Sequence, residues 1–156
     1  MKLDAIDRRL LAALQENGRL PVTDLAEKVG LTTSPCLRRL KILEQAGIIR
    51  GYGAHVDQEK VGLPVSVFVS IKLERQREEA LERFETAMRD CPQVVECYLM
   101  TGPRDYLLRV VAEDLSAYER FLKDTLTRVD GVASIESSFA LAQVKYSNAL
   151  PIADTI

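Results

Sequence analysis

Ser34, Arg38, Lys41 and Gln45 recur at steps of four, three and four residues within TTSPCLRRLKILEQAG, residues 32–47. On a helix with about 100° per residue, Arg38 lies about 40°, Lys41 about 340° and Gln45 about 20° from Ser34, so the four share one face. Cys36, Leu37, Leu40 and Leu43 form an apolar stripe on the other side, with Pro35 and Arg39 on the flank. The chemistry open to such a face is recognition of a polyanion. Arg can pair with guanine edges in the major groove, while Lys, Arg and Ser can hold phosphates. The unpaired N–H groups near Thr33 and Ser34 favour a phosphate as well. Arg50 and Tyr52, a few residues on, are placed to reach the flanking DNA backbone.

Other reactive residues form no comparable group. Cys36, Cys91 and Cys97 are scattered without a C-x-x-C pair, and the single His55 leaves too few soft ligands for a zinc site. His55 has no assignable nucleophile beside it, so no catalytic pair is expected and the chain is not expected to be an enzyme. Gly51-Tyr52-Gly53 begins like a dinucleotide fingerprint but lacks the third glycine and the following helix. The run ERQREEALERFE is a solvated helix face. No metal or cofactor is expected, and the unpaired thiols suit a cytoplasmic location. No stretch has the ~18 uninterrupted apolar residues of a membrane span, and the N-terminus lacks the apolar core of a signal peptide.

The net charge of −2 hides an asymmetry that favours the same reading. Residues 1–56 carry nine Lys and Arg against six Asp and Glu, or +3. Residues 57–156 carry twelve against seventeen, or −5. Only the front of the chain suits a polyanion.

The elements that must position this face are legible in the periodicity. Leu3, Ile6, Leu10 and Leu14 predict a first amphipathic helix, with Asp4 as cap, Asp7 in the first turn and Gly18 as stop. VTDLAEKVG predicts a second helix ending at Gly30. A brief LTT connection then leads into the third, with Ser34 as N-cap, Pro35 first in the helix and Gly47 as stop. Two helices joined so tightly predict a helix-turn-helix. IIRGYGAHVD predicts two short strands, the wing of a winged helix.

From Val65 the period becomes two, with Val65, Val67, Val69, Ile71 and Leu73 on one strand face. A helix over EEALERFETAMRDC, strands QVVECYLMT and DYLLRVVAE, a helix over SAYERFLKDTLTRVDG and a long strand VASIESSFALAQVKY follow. The order βαββαβ predicts an α+β, ferredoxin-like domain whose helices cover one sheet face. The other face, carrying groups such as Phe68, would expose more apolar surface than monomers tolerate, so face-to-face homodimerisation is expected. The expected division is a winged helix-turn-helix domain over 1–56, a joint over 57–64 and an effector and oligomerisation domain over 65–156.

LDAIDRRLLAALQENGRL, LAEKVGLTTSPCLRRLKILEQAGIIRGYGAHVD, VECYLMTGPRDYLLRVVAEDLSAYERFL and GVASIESSFALAQVKYSNALP follow one another in the order of an Lrp/AsnC, or feast/famine, regulator. The chain resembles that family from about Leu3 to Pro151. SPCLRR and the ending SSFALAQVKYSNALP look closest to its leucine-responsive branch. The resemblance implies a cytoplasmic transcriptional regulator that binds double-stranded DNA, with a RAM/ACT-like back domain, an amino-acid effector, and dimers assembling further into an octamer. It also implies an effector site at the turn TGPRDY. Thr101, Gly102, Asp105 and Tyr106 carry over by position, and Ser137 matches a ligand-contacting threonine on the last strand. Glycine admits close backbone approach, and a carboxylate can pair with an ammonium group. Ile135 departs from a second threonine of the family, and Pro103-Arg104 makes the turn bulkier and more basic. An effector-independent architectural DNA-binding protein is the alternative that the front half cannot separate from a regulator.

Overall fold

The structure is a computed structural model and describes residues 2–152. It divides into two compact units. One comprises, among the described residues, 2–55 and 144–152; the other is Val56–Gln143.

In the front unit, α1 (Ala5–Glu16) starts at a reciprocal capping box. The Asp7 amide donates to Asp4 Oδ1 at 2.8 Å and the Asp4 amide to Asp7 Oδ2 at 3.1 Å, satisfying two N–H groups that the helix cannot pair internally. Asn17, rather than the predicted Gly18, caps its C-terminus. The second helix, α2 (Val22–Val29), ends at Gly30 with φ 72°, a left-handed conformation that glycine adopts without a Cβ penalty. The third, α3 (Thr33–Gln45), begins after a three-residue turn, earlier than the sequence predicts. Thr32, not Ser34, is the N-cap, and it makes no side-chain capping bond. Pro35 therefore lies in the third helical position, where its missing N–H still costs no intrahelical bond. Leu10, Leu25, Val29, Cys36 and Leu43 form the centre of this unit's core.

The expected wing strands are absent. Ile48 and Ile49 pack on the core, while residues 50–56 are exposed and carry no strand pairing. A two-stranded ribbon this short, with glycines at 51 and 53, has too little side-chain contact to hold itself together. The end of the chain also departs from expectation. Gln15 Nε2 donates to the Leu150 carbonyl at 3.1 Å, the Leu150 amide donates to Gln15 Oε1 at 2.6 Å, and Ile152 packs on the front core. The tail from Val144 thus belongs with the front unit, and residues 153–156 of the expected back domain lie outside the described residues.

The back unit is a four-stranded antiparallel sheet in the order β2-β3-β1-β4, formed by β1 (Val65–Leu73), β2 (Val94–Leu99), β3 (Tyr106–Ala112) and β4 (Val132–Phe139). Helices α4 (Glu78–Arg89) and α5 (Leu115–Asp124) follow β1 and β3, which is the βαββαβ order predicted. Val67, Val69 and Ile71 of β1 pack with Leu108 and Val110 of β3 and with Phe84, Met88 and Phe121 from the helices. The predicted last helix breaks at Thr125 and continues as a 3-10 turn, Leu126–Arg128. The last strand is shorter than its alternation suggests. Ala140 donates the final ladder bond to the Ser66 carbonyl at 3.0 Å, and β1 offers no further partner beyond Val65.

The open sheet face is less apolar than expected. Phe68 is 39% exposed, but Arg109 pairs with Glu96 at 2.9 Å and Arg104 with Glu136 at 2.6 Å on the same face. Gln58, in the expected joint, donates to Ser66 Oγ at 3.0 Å and accepts from Arg109, so this segment is part of the back unit.

Candidate DNA interface and effector turn

α3 presents the face that its spacing predicts. Thr33, Ser34, Arg38, Lys41 and Gln45 are all exposed, while Cys36, Leu40 and Leu43 are buried. Leu37 is the exception in the apolar stripe, 42% exposed because it sits at the stripe's edge next to Lys41. Pro35 is half-buried at the start of the helix. Among the described residues no carboxylate forms an ion pair with Arg38 or Lys41, so both charges face solvent. Glu44, one turn from Lys41, is occupied instead by the Tyr52 hydroxyl, which donates to it at 2.9 Å. Partial desolvation of the hydroxyl end, followed by this bond, raises the Tyr52 phenol to about 12. Tyr52 thus ties the segment after α3 back onto the helix, and its hydroxyl proton is already used. Arg50 is exposed beside it.

Arg39 does not belong with the others. Its Nη1 donates to Asp4 and to Asp7, each at 2.7 Å, and the residue is half-buried against α1. The structure thus ties Arg39, expected among the DNA contacts, to α1 instead of leaving it free on the exposed face. The sequence showed Arg39 on the helix flank but held no sign of a partner some 30 residues earlier.

The turn between β2 and β3 is built differently. Thr101 and Gly102 are exposed, and Gly102 takes φ 103°, which a side chain would strain. The Met100 amide donates to the Asp105 carbonyl at 2.8 Å, closing the turn, and the Asp105 amide donates to the Ile71 carbonyl at 2.8 Å. Asp105 itself is buried. Its Oδ2 accepts from the Leu73 amide at 2.7 Å, and its Oδ1 accepts from Gln76 Nε2 at 2.7 Å with Lys72 Nζ at 3.5 Å. Burial pushes this carboxyl up, but the Leu73 amide, Gln76 and Lys72 outweigh it and hold it below the usual carboxylate range. Both oxygens thus serve internal donors, so the carboxyl expected to meet an ammonium group is held inside the back unit.

Tyr106 is buried under α4 with its ring stacked near Phe84, and its hydroxyl donates to Glu85 at 2.9 Å. Burial and Glu85 push its phenol up. Ser137 is not brought to the exposed turn; it faces α5, hydrogen-bonded to the Tyr118 hydroxyl at 2.5 Å. Arg104, read from the sequence as adding bulk and positive charge to the turn, straps it to β4 through Ser134 at 2.8 Å and Glu136 at 2.6 Å. No local pattern announces that pairing, because its partners lie about thirty residues away.

Among the described residues no three His, Cys, Asp or Glu side chains cluster as metal ligands, and no helix is long and apolar enough to cross a membrane. A helix-turn-helix with a free basic face, joined to a ferredoxin-like unit, defines a DNA-binding protein of two domains. The comparisons agree on both halves. Residues 3–50 match a winged helix-turn-helix DNA-binding family and residues 66–150 match the Lrp/AsnC ligand-binding domain. The chain belongs to the Lrp/AsnC family of transcriptional regulators.

It is 50% identical over 151 residues to the Bkd operon transcriptional regulator of Pseudomonas aeruginosa, covering 97% of this chain and 99% of that one. It is 39% identical over 150 residues to the leucine-responsive regulatory protein of Escherichia coli, covering 96% and 92%. A transcriptional regulator from Neisseria meningitidis, solved with L-Met, superposes with a TM-score of 0.91 at 43% identity over 96% of this chain and 97% of that one. These relatives are named as regulators, in accord with the expectation that this chain is not an enzyme.

Proposed function

We propose that this chain binds double-stranded DNA through the outer face of α3 and adjusts that binding to an amino acid held at the turn between β2 and β3. The observation that carries the first half is the pair Arg38 and Lys41, both exposed and unneutralised on a helix whose other side is buried. Arg38 reads base edges, with Ser34 and Gln45 beside it. Lys41, Thr33 and Arg50 hold phosphates. The second half rests on family membership and on the exposed Thr101-Gly102 turn, whose hydroxyl and backbone amides suit an α-carboxylate. Asp105, Tyr106 and Ser137 act from beneath, by holding the turn and the strands around it in shape.

The L-Met bound by the Neisseria relative and the leucine response of the Escherichia coli protein support the amino-acid class of effector. No cofactor is needed for either step. The protein acts in the cytoplasm as a dimer, joined through the open sheet face around Phe68 and assembled further into an octamer. Titrating single amino acids while following DNA affinity and sedimentation tests this reading. One amino acid is expected to change both. Indifference to all of them would favour the architectural alternative.

A further inference from the structure

Arg38 and Arg39 are neighbours in sequence with opposite fates. Arg38 points into solvent, while Arg39 reaches α1 and bridges Asp4 and Asp7 through Nη1. Each of these carboxylates divides its oxygens. Asp4 Oδ1 and Asp7 Oδ2 close the capping box of α1, leaving Asp4 Oδ2 and Asp7 Oδ1 for the guanidinium. Asp7 is only 5% exposed, so its charge is fixed in place rather than loosely solvated. The first turn of α1 is thereby cross-linked to the middle of α3.

Two physical consequences follow. The contacts that seat α3 on its neighbours, Cys36, Leu40 and Leu43, are apolar and non-directional; they decide which side of the helix is buried but supply no directional bond to fix its exact rotation. A charge-assisted pair of bonds from one guanidinium to two fixed carboxylates supplies it. Secondly, one cation between two carboxylates leaves a cluster of net negative charge, so Arg39 adds nothing to the positive potential of the exposed face.

We propose that Arg39 is a positioning residue for DNA recognition: the acidic first turn of α1 holds it away from the DNA and sets the rotation of α3, so that Ser34, Arg38, Lys41 and Gln45 face the groove together. This rests on the assignment of that face as the DNA interface.

The test compares the full chain on two duplexes, one selected by the protein from a random-sequence pool and one scrambled, over a series of salt concentrations. A phosphate contact contributes about 0.9 to the slope of log affinity against log salt. Arg39→Gln is expected to leave both slopes unchanged while lowering the ratio of selected to scrambled affinity by about tenfold. Arg39→Lys, which keeps the charge but loses the fork, should restore part of that ratio. Asp4→Asn with Asp7→Asn, which preserves capping side chains but frees the guanidinium, should steepen the slope on both duplexes by about one.

A slope lowered by about one in Arg39→Gln would make Arg39 a phosphate contact and overturn the proposal. An unchanged slope with an unchanged ratio would reduce the cluster to a stabilising ion pair and overturn it equally. If Arg39→Gln does not fold, the Asp4→Asn/Asp7→Asn pair decides, since it removes both carboxylates from the guanidinium while asparagine still caps; a ratio equal to that of the unaltered chain would refute the proposal. Failure of the DNA-interface assignment is distinguishable, because the unaltered chain would then select no duplex from the pool.

Discussion

The outer face of α3 and the turn between β2 and β3 are both functional candidates from sequence, but they spend their polar groups in opposite ways. On α3, Arg38, Lys41 and Gln45 are exposed, with both cations left free for a partner. At the turn, Asp105 and Tyr106 are buried and hydrogen-bonded to Leu73, Gln76 and Glu85. A polar side chain next to a binding site thus serves it in one of two ways. It can contact the partner, or it can fix the backbone that does.

Four substitutions sharpen that comparison. Leu43→Ala, on the buried side of α3, is expected to have the largest effect, destabilising the front unit by about 2–5 kcal/mol in urea denaturation, since its side chain is fully enclosed. Asp105→Ala should cost about 1–3 kcal/mol at neutral pH because the Leu73 amide and Lys72 lose a buried acceptor. The pH dependence has a definite sign. The Asp105 carboxyl is depressed in the folded state, so its contribution is complete above the unfolded carboxyl range and is lost as pH falls through the lower folded value. Stability of the unaltered chain should therefore fall more steeply in acid than that of Asp105→Ala.

Arg38→Ala reverses the pattern. It should leave urea stability within about 0.5 kcal/mol yet weaken binding to a selected duplex by about 1–3 kcal/mol, more than binding to a scrambled one. An equal loss on both duplexes would make Arg38 a phosphate clamp. Tyr52→Phe is the smallest change, removing one partly exposed bond to Glu44 and costing about 1 kcal/mol or less by denaturation. A spectroscopic titration in which one phenol near pH 12 disappears in Tyr52→Phe would identify that hydroxyl.

What was legible in the sequence follows the range of the interactions. The 3.6-residue period of α1 and α3 and the alternation in β1 placed the helices, the sheet and the exposed basic face, because burial imposes those periods locally. The Asp4 cap was legible for the same reason, its partner being three residues away. The partners of Arg39, Arg104 and Asp105 were not, since each is about thirty residues distant and depends on how elements pack. The strand beyond Phe139 was overread because alternation in VASIESSFALAQVKY continues after β1 has ended. Strand pairing after α3 was not legible either way, because β-prone residues say nothing of whether a second strand lies alongside.

The central claim is that Arg38 and Lys41 deliver the free charge of α3 to DNA. It is tested most directly by a salt-resolved binding titration of Arg38→Ala/Lys41→Ala against the unaltered chain on a duplex the protein selects. The slope of log affinity against log salt is expected to fall by between about one and two, with most discrimination against a scrambled duplex lost. An unchanged slope with unchanged discrimination would contradict it and move the DNA interface off α3.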